Sequence, residues 1–492
     1  MPRHGCRIRG RRGHLPDPLP AHGQHGSRDR RLCRLESLIA TTLLTGGAVV
    51  TVDDEGQVLD PGWVLVDDDL IADTGAGEPP AHLASSANLV LDATGGAVMP
   101  GMVNSHTHLF QTLFRGLADD KTLLDWLRDC IWPGATELDA EAAHAAATLG
   151  MIENLRGGAT SVVDHQYIHG APGIDDAVCR AAAEVGIRFT LASGWADRNY
   201  HPPLTESADT VLDRIEPVKT AWHGAMDDRI RVGLAPLIPW GCSDEAMEST
   251  VAVCRSWGGP THLHCAETAV EVEMNLEERG QRHVNWLESL GILGPDLQLA
   301  HSVWLDDTEL ELIAQSGAMV VHCPVSNMYL ASGVARIREM LDLGITVALA
   351  SDGPGSNNRQ DMFEACKATV LLQKVDRLDA TVLQPEEVLS MACRGGASAM
   401  GRPDDLGSIQ PGMKADLVVV DLETPFAAPV HRVPSALVYC ASPRDVVHVM
   451  VDGQILVRDR EMTTVDERAA IARATDVARR VFQRAGISTR IS

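Results

Sequence analysis

Five residues of types that commonly bind metals or transfer protons lie at the ends of four short apolar runs. His106 and His108 end the run AVMPGMVNSHTH, His264 lies in PTHLHCAE, His301 ends LQLAH, and Asp352 follows TVALAS. Side chains two positions apart on a strand point to the same side, so His106 and His108 can offer two imidazoles to one cavity. A polar group buried at a strand end is costly unless it binds something. The repetition of this feature therefore favours a metal site.

Other polar residues of these runs have plainer explanations. His262 shares the inward face with His264 but should lie deeper, as a hydrogen-bonded residue behind the site. His322, on the seventh run, is better explained as a core residue than as a ligand contact. For His165 and Tyr167, at the end of the second run, the sequence leaves pocket lining and a structural role equally open.

The elements that must position these residues form a repeating pattern between 99 and 404. Eight short apolar runs, most of them followed by a helical pattern, read AVMPGMVNSH, ATSVVDH, IRFTLASG, RIRVGLAPLI, PTHLHCAE, LQLAHS, AMVVHCP and TVALASDG. Alternation of strand and helix over eight units predicts an α/β fold, a closed (β/α)8 TIM-like barrel. Catalytic groups of that fold occupy the C-terminal strand ends, where all five residues named above fall.

The flanking segments have β-like patterns and are too small to bury a core alone. Residues 37–98 contain LLTGGAVVTVDD and GWVLVDDDLIAD, and residues 405–460 contain ADLVVVDL and DVVHVMVDGQILV. We expect the two segments to pair into one small β-sandwich domain built from both ends of the chain. Residues 461–492 are predicted to form an amphipathic C-terminal helix that packs on the surface.

The first 36 residues differ from the rest of the chain. They hold nine Arg and no Lys, with Pro, Gly and His between them, and are predicted to be a disordered basic leader. The leader lacks the apolar core of a secretion signal. An inert tail, or sequence upstream of the true start, explains it better than a nucleic-acid-binding or targeting arm.

The composition argues against some classes of binding partner. The chain of 492 residues has a formal net charge of -25, which argues against a nucleic-acid partner and against a polybasic membrane anchor. No apolar run is long enough to span a bilayer. The 11 cysteines show no close pairing, so we expect reduced thiols in a cytoplasmic protein.

The ordered motifs resemble the amidohydrolase superfamily, and within it the aminohydrolase branch that contains guanine and 8-oxoguanine deaminases, methylthioadenosine/S-adenosylhomocysteine deaminases, melamine deaminase and the triazine hydrolases. The resemblance runs from about 40 to 460. The motifs that carry it are PGMVNSHTH, DWL followed by IWPG, HLHCAET, LAHSVWL, HCPVSNMYLASG, SDGPGSNN with DMFE, and GSIQPGMKADLVVVD. They are highly specific for the superfamily and only moderately specific for the substrate.

The resemblance implies that His106, His108, His264 and Asp352 are the ligands of one divalent metal ion. Three imidazoles and a carboxylate suit Zn²⁺, which we expect, or Fe²⁺. Relatives with two metals carry a bridging Lys or Glu on the fourth strand. The fourth strand here reads RVGLAPLIPW and has neither, so one ion is predicted.

The resemblance also assigns catalytic roles to Glu267, His301 and Asp352. Asp352 accepts a proton from the attacking water, and His301 stabilises the developing hydroxide. Glu267, three residues after His264, protonates a ring nitrogen so that the adjacent carbon can be attacked and an amine released. Taken alone, Glu267 is better explained as a solvated carboxylate at the start of a helix. Its offset from a predicted metal ligand favours the catalytic assignment.

Three residues are predicted to bind substrate. Gln111 and Trp126 follow the metal pair, and the resemblance suggests an amide that reads the edge of a heterocycle and an indole near its face. Asn327, in the CPVSNMYLASG loop, is the third. A core position for Trp126 and a turn position for Asn327 are the alternatives.

The predicted function is metal-dependent hydrolytic deamination of an amino-substituted nitrogen heterocycle such as a purine base, pterin or s-triazine, by an enzyme we expect to be a homo-oligomer. A nucleoside deaminase of the methylthioadenosine/S-adenosylhomocysteine type is less favoured. Such enzymes place a sugar-binding glutamate two residues after the proline of the IWP-like segment, whereas Gly134 and Ala135 follow Pro133 here and Glu137 is out of register. A chlorohydrolase on the same scaffold is the other alternative, although the presence of Glu267 argues for a nitrogen leaving group.

Overall fold

The structure is a computed structural model that describes residues 41–489. The basic leader predicted for residues 1–36 lies outside the described residues. The strands are β1 (Thr41–Thr45), β2 (Ala48–Val50), β3 (Val58–Leu59), β4 (Gly62–Asp67), β5 (Leu70–Ala76), β6 (Leu89–Asp92), β7 (Gly96–Pro100), β8 (Met102–Thr107), β9 (Ala159–Gln166), β10 (Arg188–Trp195), β11 (Ile230–Pro236), β12 (Thr261–Cys265), β13 (Leu297–His301), β14 (Met319–His322), β15 (Val347–Leu349), β16 (Leu417–Asp421), β17 (Val446–Val451), β18 (Gln454–Arg458) and β19 (Glu461–Met462).

The helices fill most of the connections between barrel strands. They are α1 (Ala81–Ser86), α2 (Leu123–Trp126), α3 (Trp132–Ala135), α4 (Ala140–Arg156), α5 (Ile174–Val185), α6 (Ala208–Trp222), α7 (Ala225–Asp228), α8 (Asp244–Ser256), α9 (Ala269–Arg279), α10 (His283–Ser289), α11 (Asp307–Ser316), α12 (Pro324–Tyr329), α13 (Ile337–Asp342), α14 (Pro354–Asn357), α15 (Met362–Arg377), α16 (Pro385–Ser390), α17 (Gly396–Ala399), α18 (Val433–Tyr439) and α19 (Glu467–Arg484). Within the described residues, no helix is both long enough and apolar enough to cross a bilayer.

The eight strands β8 to β15 form one parallel sheet in chain order. The sheet curls until its first and last strands meet, where the Asp352 amide donates to the His106 carbonyl at 3.0 Å and the Ser351 amide donates to the Asn104 side chain at 3.0 Å. The strands are buried on both faces, as expected for a parallel sheet covered by helices. The predicted (β/α)8 TIM-like barrel is confirmed.

The first predicted barrel strand differs from the structure. The run AVMPGMVNSH is divided at Gly101 between β7, which pairs with β16 outside the barrel, and β8, which begins the barrel. A Cβ atom at Gly101 would lie 2.0 Å from the Thr160 Oγ1 atom, so only glycine allows the chain to cross at this point. The continuous apolar pattern hid the change of sheet, because every residue of this run is buried on either side of Gly101.

Both ends of the described chain contribute to the β-sheets outside the barrel. One sheet has the order β5-β4-β1-β6, and the other has the order β19-β18-β17-β16-β7-β2-β3. A buried apolar cluster between them includes Leu44, Val64, Val98 and Leu417. Strand β7 ends at Pro100 and β16 begins at Leu417. The domain boundaries expected at 98/99 and 404/405 stay predictions.

Buried ion pairs connect the barrel to these sheets. Arg188 of β10 is almost fully buried, and its Nε atom lies 2.9 Å from Asp416 Oδ2. Asp452 accepts from Arg188 and, at 2.9 Å, from Arg229. The C-terminal helix α19 buries the face that contains Phe482, whose ring packs edge-on against Phe114 with centroids 5.0 Å apart.

Candidate active site

Four potential metal ligands converge at the C-terminal end of the barrel. The Nε2 atoms of His106 and His108 lie 3.3 and 3.4 Å from Asp352 Oδ1, and the Nε2 atom of His264 lies 3.3 Å from that of His108. A tetrahedral zinc site with metal–ligand bonds of about 2.0–2.1 Å has ligand atoms about 3.3–3.4 Å apart. The spacing of these atoms therefore fits one small divalent ion.

Backbone carbonyls hold the Nδ1 atoms of His108 and His264, which leaves the Nε2 atoms of these rings free to bind a metal ion. His108 Nδ1 lies 2.7 Å from the His165 carbonyl and His264 Nδ1 lies 2.6 Å from the Leu237 carbonyl, so both Nδ1 atoms donate. Burial lowers the pKa of His106, His108 and His264, which keeps the imidazoles neutral with lone pairs on Nε2. The buried His106 Nε2 has no hydrogen-bond partner within residues 41–489. Facing lone pairs repel unless a cation lies between them, so the donor set fits a metal ion.

The carboxylate of Asp352 accepts hydrogen bonds from the turn that follows it and from helix α12. The Gly353 amide donates to Oδ1 at 2.6 Å, while the hydroxyls of Ser326 and Ser356 donate to Oδ2 at 2.5 and 3.0 Å. Burial raises the pKa of Asp352, but its interactions with His106 and the other nearby histidines outweigh burial and hold that pKa well below its ordinary value. Asp352 is therefore anionic at neutral pH.

The backbone at two of these positions is unusual. His301 has a φ of 68° and Asp352 has a φ of 64°, in the left-handed region that residues other than glycine seldom adopt. Such conformations are concentrated at active sites, where the surrounding structure holds them in place. Here they turn the chain just beyond β13 and β15 and aim both side chains inward.

Glu267 and His301 form a buried pair beside the ligand cluster. Glu267 Oε2 lies 3.6 Å from His301 Nε2, and Ser332 donates to Glu267 Oε1 at 3.1 Å. Burial raises the pKa of Glu267 to about 7, partly opposed by the charge of His301. Burial lowers the pKa of His301, but the charges of Glu267 and Asp352 outweigh it and raise that pKa overall. The pair can hold and release one proton near neutral pH.

Asn327 lies behind His301. The Asn327 Oδ1 atom is 2.9 Å from His301 Nδ1, and the side chain is fully buried. Asn327 is not among the residues that line the cavity described below. Its predicted contact with substrate stays untested, and the geometry favours a role in orienting His301.

Gln111 and Trp126 both contact the turn after Asp352. The Gln111 amide donates to the Tyr167 hydroxyl at 3.1 Å and accepts from the Gly355 amide at 3.2 Å, while Trp126 Nε1 donates to the Gly355 carbonyl at 2.8 Å. A Cβ atom at Gly353 would lie 2.1 Å from Gln111 Oε1, so this close approach requires glycine. Trp126 lines the cavity, whereas both ends of the Gln111 amide are occupied by protein groups. Substrate contacts of either residue stay predictions.

A narrow cavity opens above the ligand cluster. Its floor is polar and its wall is mostly aliphatic and aromatic. The lining residues are His108, Leu123, Trp126, Leu127, Tyr167, Tyr200, Leu237, Ile238, His264, Glu267, His301, Leu330, Asp352 and Ser356. A flat, mostly apolar ligand can therefore be held with one polar edge toward the catalytic groups.

Sequence reasoning missed the residues that support the site. The serines on Asp352 and Glu267 lie in the motifs CPVSNMYLASG and SDGPGSNN, where serine is also common as a turn residue. The lining residues Tyr200 and Ile238 lie after β10 and β11, in segments with no catalytic residue type to draw attention. Tyr167 lines the cavity, while the His165 ring does not and makes no hydrogen bond to the described residues.

The chain is similar to several known proteins. The amidohydrolase family profile matches residues 97–456. The chain is 36% identical to 5'-deoxyadenosine deaminase of Methanosarcina mazei over 91% of its own length and 99% of the relative. It is 38% identical to 5-methylthioadenosine/S-adenosylhomocysteine deaminase of Halobacterium salinarum over 88% of its length and 98% of the relative.

A solved structure shares the whole architecture. It is an adenosine deaminase from Xanthomonas campestris with bound zinc, 32% identical, with a TM-score of 0.84 over 90% of this chain and 99% of that one. The profile covers more than half of the chain, and its span contains all four ligands together with Glu267 and His301. On this evidence the chain belongs to the amidohydrolase family.

Proposed function

We propose that this protein is a metal-dependent hydrolytic deaminase that removes the exocyclic amino group of an adenine-type ring. The observation that carries the proposal is the convergence of four ligand atoms with the Glu267–His301 pair at the floor of an apolar cavity. This combination supplies a metal site, a proton donor and a shape suited to a flat heterocycle. The protein is therefore a hydrolase of carbon–nitrogen bonds in cyclic amidines.

We assign one Zn²⁺ ion to His106, His108, His264 and Asp352, and bound there it would act as a Lewis acid that lowers the pKa of the attacking water. Strand β11 offers no Lys or Glu that could bridge a second ion. Three imidazoles and one carboxylate also suit Fe²⁺. Metal analysis of the purified protein distinguishes the two.

The protein side chains carry out the proton transfers. Asp352, anionic and next to the ligand cluster, accepts the proton of the attacking water. The charges of Asp352 and Glu267 both act on His301 and raise its pKa. His301 stabilises the nucleophile. Glu267, with a pKa of about 7, is protonated often enough at neutral pH to donate to the ring nitrogen and make the adjacent carbon electrophilic. Asp352 then passes its proton to the amino group, which leaves as ammonia, while the hydroxyl proton of the tetrahedral intermediate passes to Glu267 as the carbonyl forms, so both residues regain their starting states.

The relatives favour a nucleoside over the free base that the motifs alone suggested. Two of them are named as deaminases of 5'-deoxyadenosine and of 5-methylthioadenosine/S-adenosylhomocysteine. The structure places no carboxylate in that register: the position two residues after Pro133 is the fully buried Ala135, and Glu137 pairs with Arg484 on the outside at 3.3 Å. We propose 5'-deoxyadenosine-type nucleosides as the substrate class, with recognition of the sugar by groups other than a carboxylate at this position.

The test is ammonia release by the zinc-loaded protein from a matched panel. The panel contains adenine, adenosine, 5'-deoxyadenosine, 5-methylthioadenosine, S-adenosylhomocysteine, guanine and melamine. We expect turnover of the 5'-modified nucleosides, none after chelation, and a rate lower by about 100-fold or more in the Glu267→Gln variant. Release from adenine or melamine but from no nucleoside would overturn the substrate class. No release from any compound by a metal-replete protein would overturn the deaminase.

Two further properties stay predictions from the sequence. We propose a cytoplasmic location on the basis of the reduced thiols, and we expect a homo-oligomer. Eight of the nine cysteines in the described residues are buried, and none of the nine is in a disulfide. Light scattering of the purified protein measures the oligomeric state directly.

A further inference from the structure

A chain of buried hydrogen bonds extends from the metal-facing histidine to the opposite end of the barrel interior. His106 Nδ1 lies 2.7 Å from His262 Nε2, and His262 Nδ1 lies 2.8 Å from Gln298 Oε1. The Gln298 amide nitrogen lies 2.6 Å from the Ala399 carbonyl. The three side chains are at most 3% exposed.

The fold places these groups side by side. His262 and Gln298 are direct neighbours in the parallel pairing of β12 with β13, so their side chains point to the same side of the sheet. The rings of His106 and His262 are 8° from parallel with centroids 4.8 Å apart. With the facing nitrogens only 2.7 Å apart, these values describe two nearly coplanar rings that meet edge to edge. That is the geometry of an in-plane hydrogen bond.

The Ala399 carbonyl sets the direction of the chain. Ala399 is the last residue of α17, and the residue four positions later, Pro403, has no N–H to donate to it. A carbonyl can only accept, so the group that Gln298 presents to it must be the amide NH₂. The Gln298 oxygen then faces His262, and His262 Nδ1 must be the donor.

The direction passes through His262 to the metal ligand. A neutral His262 with its proton on Nδ1 has a lone pair on Nε2, so His106 Nδ1 must be the donor in their hydrogen bond. His106 Nε2 then carries a lone pair that points to the ligand cluster, and this atom has no partner among the described residues. If the Gln298 amide were turned over, its oxygen would lie 2.6 Å from the Ala399 carbonyl oxygen. If His262 carried its proton on Nε2 instead, its Nδ1 lone pair would lie 2.8 Å from the Gln298 oxygen.

We infer that Gln298, acting through His262, is a positioning residue for the metal: it holds His106 in the one tautomer that can bind the ion. The other ligands do not share this device, because His108 and His264 donate directly to backbone carbonyls. A carbonyl of the main chain is always present, whereas the partner of His106 depends on two side chains. The inference rests on the metal site of the proposed function.

The first experiment measures zinc binding rather than turnover. The full-length protein is freed of metal by dialysis against a chelator, and its Zn²⁺ dissociation constant is determined by competition with a chelating dye. Gln298→Met removes the acceptor for His262 at similar volume, and we expect the dissociation constant to rise about 10-fold or more. Gln298→Glu keeps an oxygen acceptor for His262 and, as the neutral acid that burial favours, an O–H for the Ala399 carbonyl, so its affinity should lie nearer to that of the parent.

A matched control is available in Gln373. This fully buried glutamine also donates to a backbone carbonyl, that of Ala335 at 2.9 Å, but from helix α15, outside the barrel interior. Gln373→Met should leave zinc affinity at the parent value while it reports the cost of deleting a buried amide on the unfolding midpoint. Parent-like zinc binding by Gln298→Met, or equal losses in Gln298→Met and Gln298→Glu, would overturn the inference.

A second measurement does not depend on the folding of any variant. In the metal-free parent, ¹⁵N chemical shifts of the His106 ring should show a protonated Nδ1 and an unprotonated Nε2. The opposite tautomer would overturn the inference. A parent protein that binds no zinc would instead count against the proposed function, and the tautomer of His106 would still test the hydrogen-bond chain.

Discussion

The Nδ1 atom of His301 lies 2.9 Å from Oδ1 of Asn327, while its Nε2 atom faces Glu267 at 3.6 Å. Asn327 therefore contacts the ring from behind, at the nitrogen that points away from the reacting groups. An acceptor at Nδ1 places the ring proton there and leaves the Nε2 lone pair for catalysis. This geometry favours a role for Asn327 in orienting His301, and the substrate contact expected from the sequence stays a prediction.

Replacement of Asn327 by Leu should lower kcat by about 10-fold or more, because the His301 tautomer is no longer held. KM should change little, since Asn327 does not line the cavity. Asn327→Asp retains an acceptor and serves as the matched control. Steady-state kinetics on the substrate found in the ammonia panel measure both constants. A large rise in KM with unchanged kcat would support the substrate contact predicted from the sequence.

Glu267→Gln should separate proton transfer from metal binding. The amide keeps the size of the carboxyl group but cannot carry a proton, so the rate should fall by about 100-fold or more. Glu267 is not among the four ligands, so bound zinc should stay at the parent level. The measurement pairs ammonia release with metal content in the same sample. Near-normal deamination by a metal-replete Glu267→Gln protein would refute the proposed role.

The pH dependence of kcat/KM should report the same proton. Burial raises the pKa of Glu267 to about 7, and the acid form is the one that donates. As pH rises through 7 the protonated fraction falls, so kcat/KM should decline by about tenfold per pH unit well above that value. The apparent pKa belongs to the Glu267–His301 pair, because the two groups interact. An alkaline limb that persists unchanged in the residual activity of Glu267→Gln would contradict this origin.

His108→Ala removes one of four ligands and should reduce bound zinc and activity together. His322 provides the control: it is another fully buried barrel histidine, on β14, and its ring nitrogens make no hydrogen bond to any described residue. His322→Leu should retain a full equivalent of zinc. Elemental analysis of both purified variants gives the result. Full occupancy of the His108→Ala protein would show that the ligand set is wrong.

The ion pairs of Arg188 predict a stability effect far from the site. Arg188→Met leaves the buried carboxylates of Asp416 and Asp452 without their shared partner, which should cost about 3–5 kcal/mol of unfolding free energy. Arg128→Ala is the comparison, because it removes only exposed pairs with Asp125 and Asp129 and should not shift the transition. Denaturant unfolding of both variants tests the difference. Equal midpoints would show that the buried network adds no net stability.

The sequence by itself determined the barrel and the residue types that meet at its candidate site. Strand and helix periodicity is local, so the eight strands could be recognised without knowledge of their neighbours. The pair His106 and His108, the offset of Glu267 from His264, and Asp352 after the last strand are also local features. Each is set by spacing along one segment, and parallel strands then bring their C-terminal ends to the same side.

Only the tertiary structure decided which groups act on one another. Asn327 meets His301, and Gln298 meets His262, through strand register and loop paths that no single segment specifies. The division of the first apolar run at Gly101 was hidden for the same reason, because burial makes strands of two different sheets look alike. Hydrogen-bond direction, tautomer and cavity shape arise from contacts between residues far apart in the chain, and those contacts exist only once the barrel has closed.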